Sequence, residues 1–238
     1  MQGLPRRLPR QVSAAPDRIR VWDFPTRIFH WTLAALVIFS FTTGKVGGGW
    51  MEWHLKSGYA ILALLVFRLA WGLVGSRTSR FVHFVRGPRA ALAYTRETFR
   101  GRPPFTEGHN PMGGWMVMFM LAALLLQATS GLFADDDIAT QGPLAAKVSN
   151  ALVARMTTVH KYNEWVIVGA VALHVIAVAT YQWGLKVDLV RPMVFGWKHV
   201  PAQLRPVESP HASSILAVVI AGVAAVLVYW LVVVYPRG

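Results

Sequence analysis

Five stretches of the chain are almost free of charged side chains. They cover residues 28–44, 54–75, 113–133, 159–183 and 212–235. A helix that crosses a bilayer needs about 20 consecutive apolar residues. The last four stretches meet that length, and the first is expected to reach back toward Trp22. Glycine and proline mark most of the breaks between them: Gly47-Gly48-Gly49, Pro103-Pro104, Gly142-Pro143, Pro192 and Pro210. The pattern predicts an all-α integral membrane bundle, with a four-helix core and a fifth transmembrane helix. The expected divisions are a tail over 1–19, the four-helix domain over 20–185, a loop over 186–211 and the additional helix over 212–238.

Composition agrees. Of 238 residues, 54% are hydrophobic and 15% charged, where soluble domains carry about 25% charged residues. The net charge of +13 raises nucleic-acid binding as a reading. The distribution of charge argues against it, and no nucleic-acid partner is expected. Residues 1–27 hold six arginines against two aspartates, and residues 76–112 hold seven arginines against two glutamates. Residues 184–211 carry four basic side chains against two acidic ones. The alternate loops are poor in positive charge, holding Lys45 and Glu52, then Asp135, Asp136, Asp137, Lys147 and Arg155. The positive-inside rule places the basic loops in the cytoplasm. The expected location is therefore the bacterial inner membrane, with a cytoplasmic N-terminus and a periplasmic C-terminus. Trp31, Trp50, Trp53, Trp115, Tyr181, Trp183, Tyr229 and Tyr235 sit at stretch ends, where interfacial aromatic belts form. Residues 1–20 are rich in Arg and Pro and have no apolar core, so they do not read as a cleavable signal peptide.

The chain has no cysteine, so metal or haem must be held by His, Met or carboxylate. Four of the eight histidines fall in or at the ends of apolar stretches: His30, His54, His160 and His174. A lone membrane histidine is often a packing residue, but ionisable groups in a bilayer are functional candidates. His160 and His174 are 14 residues apart, nearly four helical turns and about 21 Å of rise, so they share one side of a helix. His54 begins the second helix at its outer end and can face His160. His30 lies in the inner half of the first helix and can face His174, although its depth matches less well. Paired imidazoles at two depths suit the axial positions of two haem irons. A single zinc or copper site would need all four ligands in one small sphere, which a 21 Å layer spacing forbids.

Other residues are weaker candidates. Arg68, 14 residues past His54, is expected at the depth of His174, either facing a haem propionate or snorkelling to the surface. Lys45, Arg155 and Lys161 lie near the outer layer, as propionate partners or ordinary interfacial charges. His109, in Gly108-His109-Asn110-Pro111, is read either near the inner haem or a quinone, or as part of a turn closed by Asn-Pro. His83, His199 and His211 read as solvated loop residues. Asp135-Asp136-Asp137 reads as a solvated acidic turn or a dock for a basic partner such as a soluble cytochrome.

Several segments resemble the nickel–iron hydrogenase b-type cytochrome family, to which the small bacterial cytochrome b-561 proteins are similar. The opening run Arg20-Val21-Trp22-Asp23-Phe24-Pro25-Thr26-Arg27-Ile28-Phe29-His30-Trp31 is the most specific. His54-Leu55-Lys56-Ser57-Gly58-Tyr59, Arg68-Leu69-Ala70-Trp71-Gly72, Gly108-His109-Asn110-Pro111 and the pair His160 and His174 continue it over roughly 20–185. The resemblance implies a four-helix bundle with two b haems, paired His30 with His174 and His54 with His160. It also implies electron relay between ubiquinone or menaquinone and a partner at the periplasmic face, such as a cytochrome c or a reductase or hydrogenase subunit. A stand-alone superoxide:quinone oxidoreductase is a second expectation, needing an outward basic funnel from Lys45, Arg155 and Lys161. A non-redox transporter or scaffold, with histidines used for packing, is a third. The fifth helix carries no histidine and departs from the minimal four.

Overall fold

A computed structural model describes residues 18–200 and 212–237; His211, Pro210 and the residues before 18 lie outside these. Five helices are long and apolar enough to cross a membrane: α1 (Phe24–Val46), α2 (Met51–Val74), α5 (Pro111–Gly131), α6 (Asn150–Ala179) and α8 (Ser214–Tyr229). π-helical turns, Thr180–Gly184 and Trp230–Val234, prolong α6 and α8. Shorter elements lie between them: α3 (Phe81–Phe84), α4 (Pro88–Phe99) and α7 (Val190–Phe195). Strand β1 (Arg18–Arg20) pairs antiparallel with β2 (Trp197–His199). The helical membrane bundle expected from the hydropathy pattern is therefore the fold. In lipid every backbone polar group must be satisfied internally, and helices do that within each segment.

Helix starts follow from local chemistry. Asp23 caps α1 by accepting from the Thr26 amide at 2.7 Å, and Pro25 sits in the first turn, where its missing N–H costs nothing. Asn110 caps α5 in the same way from the Gly113 amide at 2.7 Å, ahead of Pro111. Thus the Asn-Pro turn expected around His109 is present. The first helix does reach back, to Phe24. α6 begins nine residues earlier than hydropathy predicts, because Asn150, Arg155, Thr157 and Thr158 dilute its first turns while Ser149 caps it. The basic loop 76–112 is not plain loop, since it contains α3 and α4.

Helix α2 is the hub. It packs against α1, α5 and α8, with Leu65 and Trp71 almost wholly buried. α1 lies along α2 and α6 along α5. Side chains bridge α6 to α1 and α2. At Gly72, a Cβ would lie 2.0 Å from the Phe81 ring, so only glycine lets α3 fold back on α2. α1, α5 and α8 begin, and α2 and α6 end, at one end of the bundle, which also carries the arginine-rich segments; it is called the basic end below. The Ala212 amide donates to the Ser76 hydroxyl at 3.0 Å, tying the fifth helix to that end.

A buried polar knot closes the basic end. Trp71 Nε1 (3.2 Å) and Ser79 Oγ (3.1 Å) both donate to Asp23 Oδ2. Ser79 and Thr26 share a hydroxyl hydrogen bond of 2.7 Å. The Thr78 hydroxyl donates to the Val21 carbonyl at 2.6 Å, and the Val21 amide donates to the Gly196 carbonyl at 2.8 Å. Burial alone would raise the Asp23 carboxyl, but hydrogen bonds from Ser76, Thr26 and Ser79 outweigh it and hold the group below its ordinary value of 3.8. Asp23→Ala should cost about 2–4 kcal/mol, since it removes a cap and leaves two buried donors unpaired. Asp23→Asn, which keeps an acceptor, should cost less. Thermal unfolding in detergent reads both. Because the folded carboxyl is depressed, its contribution is complete above the ordinary value and fades as pH falls below it; the wild-type advantage over Asp23→Ala should shrink accordingly.

Candidate haem-binding site

The bundle brings four histidines together as two pairs. His30 on α1 faces His174 on α6, with ring centroids 6.5 Å apart and planes at 55°. His54 on α2 faces His160 on α6, with centroids 6.0 Å apart and planes at 89°. The 14-residue spacing along α6 sets the two layers about 21 Å apart. The imperfect depth match for His30 is resolved at the basic end. There α1 extends under α7, with Arg27 Nη1 donating to the Val194 carbonyl (2.6 Å) and Trp31 Nε1 to the Met193 carbonyl (3.2 Å). Among the described residues, no three His, Cys, Asp or Glu side chains cluster as one metal site.

The far pair has a built second layer. His54 Nδ1 meets the Ser40 carbonyl of α1 at 2.8 Å and the Ser40 hydroxyl at 3.3 Å. His160 Nδ1 meets the Gln127 carbonyl of α5 at 3.0 Å and the Ser130 hydroxyl at 3.3 Å. A carbonyl only accepts, so each Nδ1 carries the proton and Nε2 holds the free lone pair. Glycines make this approach possible. A Cβ at Gly44 would sit 2.8 Å from His54 Nδ1, and one at Gly131 would sit 2.9 Å from His160 Cε1. Each glycine stands four residues after the accepting carbonyl, one turn along the same helix. Gln127 and Asn163 steady the seat: Gln127 Nε2 donates to the His160 carbonyl at 3.1 Å, and Asn163 Nδ2 donates to Gln127 Oε1 at 2.8 Å. Sequence reading passed over Ser40, Gly44, Gln127, Ser130 and Gly131. The available signal was glycine inside apolar helices, where it costs about 1 kcal/mol against alanine.

The basic-end pair is built differently. His30 Nδ1 is buried without a hydrogen-bond partner. Arg68 on α2 is 3% exposed, its Nη1 has no partner, and its guanidinium lies 4.8 Å over the Phe81 ring. It therefore does not snorkel to the surface. His109 is held between Trp22 (4.6 Å) and Phe84 (4.5 Å), with Nδ1 buried and unpartnered. It stands within electrostatic range of Arg68, His30 and His174. Burial, then the Arg68 charge, push its imidazole down to about 3, so the ring is neutral at physiological pH.

The remaining candidates lie apart from these pairs. Lys45 is ion-paired with Glu164 and flanked by Trp165 at 5.0 Å and Phe41 at 5.5 Å. Arg155 and Lys161 are exposed on α6, and His83 and His199 are exposed in the basic segments. Asp136 Oδ1 accepts from the amides of Thr140, Ile138 and Ala139 at 2.8–2.9 Å, which closes the acidic segment as a turn.

The paired rings fit a haem iron. Two imidazole nitrogens each about 2.0–2.1 Å from a metal, plus ~1.1 Å from nitrogen to ring centre, place opposed centroids about 6.3 Å apart. The observed 6.0 and 6.5 Å bracket that value. Nδ1–H bonds to main-chain carbonyls are also the usual outer contacts of a metal-binding histidine. Unpartnered nitrogens on Arg68 and His109 suit a carboxylate beside the basic-end pair.

Comparison with known proteins agrees with this chemistry. The profile of the prokaryotic cytochrome b561 family matches residues 21–196. The chain is also similar to a probable Ni/Fe-hydrogenase B-type cytochrome subunit of Azotobacter chroococcum mcd 1, 23% identical over 215 residues that cover 76% of this chain and 88% of the relative. No solved structure matches it. Five spanning helices and the match over most of the chain lead to one conclusion: the chain belongs to the prokaryotic cytochrome b561 family, b-type cytochromes that carry electrons in bacterial membranes.

Proposed function

We propose that the chain passes electrons across the inner membrane through two b haems, between a quinone pool and a redox protein at the periplasmic face. In this reading His30 and His174 are the axial ligands nearer the cytoplasm, and His54 and His160 those nearer the periplasm. The observation that carries it is the pair of facing imidazoles at each of two depths, both at a separation one iron would span. Haem supplies the one-electron iron couple when bound. The protein's part is to hold and tune it. The Ser40 and Gln127 carbonyls fix the tautomer of His54 and His160 and raise the basicity of Nε2. Arg68 and His109 offer a buried cation and a neutral ring nitrogen to a propionate. The apolar helices around both layers lower the local dielectric.

The charge asymmetry of the loops sets the proposed direction of insertion, with the basic end inside. The hydrogenase cytochrome resemblance supports a partner subunit with its own redox centre as the outer donor or acceptor. The Lys45 charge is answered by Glu164, which weakens the basic funnel that the superoxide reading needs.

A reduced-minus-oxidised visible spectrum of the detergent-purified protein, with haem quantified per chain, should give a b-type signal at about two haems per chain. A colourless protein would instead support a non-redox scaffold. His30→Ala or His174→Ala should leave one haem, as should His54→Ala or His160→Ala, and the two classes should lose different spectral components. Full retention of both haems in any of the four would sink the ligand assignment. Gly131→Val should push the His160 ring from its seat and lower occupancy at that layer alone, with the other layer unchanged in the same spectra. Arg68→Gln should lower occupancy only at the His30–His174 layer; an unaltered spectrum would remove Arg68 from the haem-binding set.

A further inference from the structure

The segment from α3 through α4 carries none of the four paired histidines. Helix α4 turns Ala91 and Tyr94 into the protein, against α5. Next to that buried face, Arg89, Leu92, Arg96 and Phe99 fall in one stripe about 80° wide at 100° per residue. All four are exposed; Phe99 is 88% and Leu92 55% exposed. Val82 on α3, 73% exposed, adds to the apolar side. Arg86 and Arg102 are exposed at either end of the helix. Arg100 is paired with Glu97, whereas Arg86, Arg89, Arg96 and Arg102 have no carboxylate partner among the described residues.

Two contacts fix how deep this segment sits. Trp115, in the first turns of the spanning helix α5, donates its indole N–H to the Arg86 carbonyl at 2.9 Å. At Gly114 a Cβ would lie 2.8 Å from the Phe84 carbonyl oxygen, so α3 abuts the first turn of α5 directly. The start of α4 is therefore level with the start of a membrane span, where headgroups lie, rather than out in the water beyond it. A helix at that depth, with an apolar stripe beside a row of arginines, has the form of an interfacial helix.

The geometry points to α3–α4 as a docking surface for anionic phospholipid: Leu92, Phe99 and Val82 reach the acyl boundary, and Arg86, Arg89, Arg96 and Arg102 bind headgroup phosphates. The occupant is lipid because the stripe combines apolar side chains at membrane depth with unpaired guanidinium groups, which match phosphate in both charge and shape. Each such cation near a charged bilayer surface strengthens binding about fivefold. The surface would keep an anionic lipid annulus on one side of the bundle and set the tilt of α5.

Native mass spectrometry of the full chain, released from phosphatidylglycerol–phosphatidylethanolamine nanodiscs, tests the charge. The wild type should retain phosphatidylglycerol over phosphatidylethanolamine by at least about tenfold, against within about twofold for the combined Arg86→Gln, Arg89→Gln, Arg96→Gln and Arg102→Gln variant. Arg155→Gln with Lys161→Gln, at the opposite end, should keep the wild-type preference. Depth is tested separately, since the chain has no cysteine. A nitroxide on Phe99→Cys should be relaxed more by oxygen than by a water-soluble nickel chelate, and one on Ala93→Cys, on the exposed side away from Phe99, the reverse. No preference for phosphatidylglycerol in the wild type, or the same preference in the four-arginine variant, overturns the proposal. So does a label at 99 as open to water as one at 93, which would assign the face to a protein partner instead.

Discussion

An imidazole inside a lipid bilayer must place two nitrogens, and for His54 and His160 the bundle places one of them on a helix carbonyl. Every carbonyl within a spanning helix already accepts from the amide one turn later. A bulky ring from another helix fits against such a carbonyl most readily where the residue one turn later carries no side chain. Ser40 and Gly44 on α1 meet that condition for His54, and Gln127 and Gly131 on α5 meet it for His160. Once Nδ1–H is spent on the neighbouring helix, Nε2 is left bare. The ligating capacity of these histidines thus depends on glycine in two helices that carry neither of them.

The same arrangement explains the helix order. His54 leans on α1, with which α2 packs, and His160 leans on α5, with which α6 packs. Each helix pair therefore orients one histidine through contacts within the pair. A long run of packed side chains from Phe29 and Phe67 to Trp71 and Leu121 joins the pairs through α2 and α5. The Asp23 knot closes the basic end across α1, α2 and the segment after α2. Short contacts within each helix pair and one long-range knot together fix where the four rings stand.

The spans were legible because lipid enforces a simple rule on length and polarity. The proximity of His30 to His174 and of His54 to His160 was legible because 14 residues on one helix and the loop polarity fix two depths. The start of α6 was not, because Asn150, Arg155 and the threonines hide its first turns from any hydropathy average. Nor were α3 and α4, whose short amphipathic pattern is lost among the arginines of a loop. The seats for His54 and His160 escaped notice for a different reason. A carbonyl acceptor has no side-chain signature, and a glycine four residues later acquires meaning only when a ring from another helix is known to lie against it.

The two layers are unlike in charge, and that bears on how a relay would run. At the layer farther from the basic end, both rings are tied to main-chain oxygens, whose negative ends increase electron donation by the imidazoles. Such donation favours the oxidised state of a bound iron. At the other layer, His30 Nδ1 is buried without a hydrogen-bond partner, and the Arg68 guanidinium is buried with the Asp23 carboxylate within electrostatic range. A cation beside a bound iron would favour the reduced state, by less where a carboxylate answers its charge. In a relay built this way, an electron would rest more readily beside Arg68 than beside the carbonyl-bound pair. An electron entering from the periplasmic side works against the membrane potential, at about 2.3 kcal/mol per 100 mV. In the proposed orientation, a carbonyl-bound outer pair and an arginine-flanked inner pair would offset part of that cost.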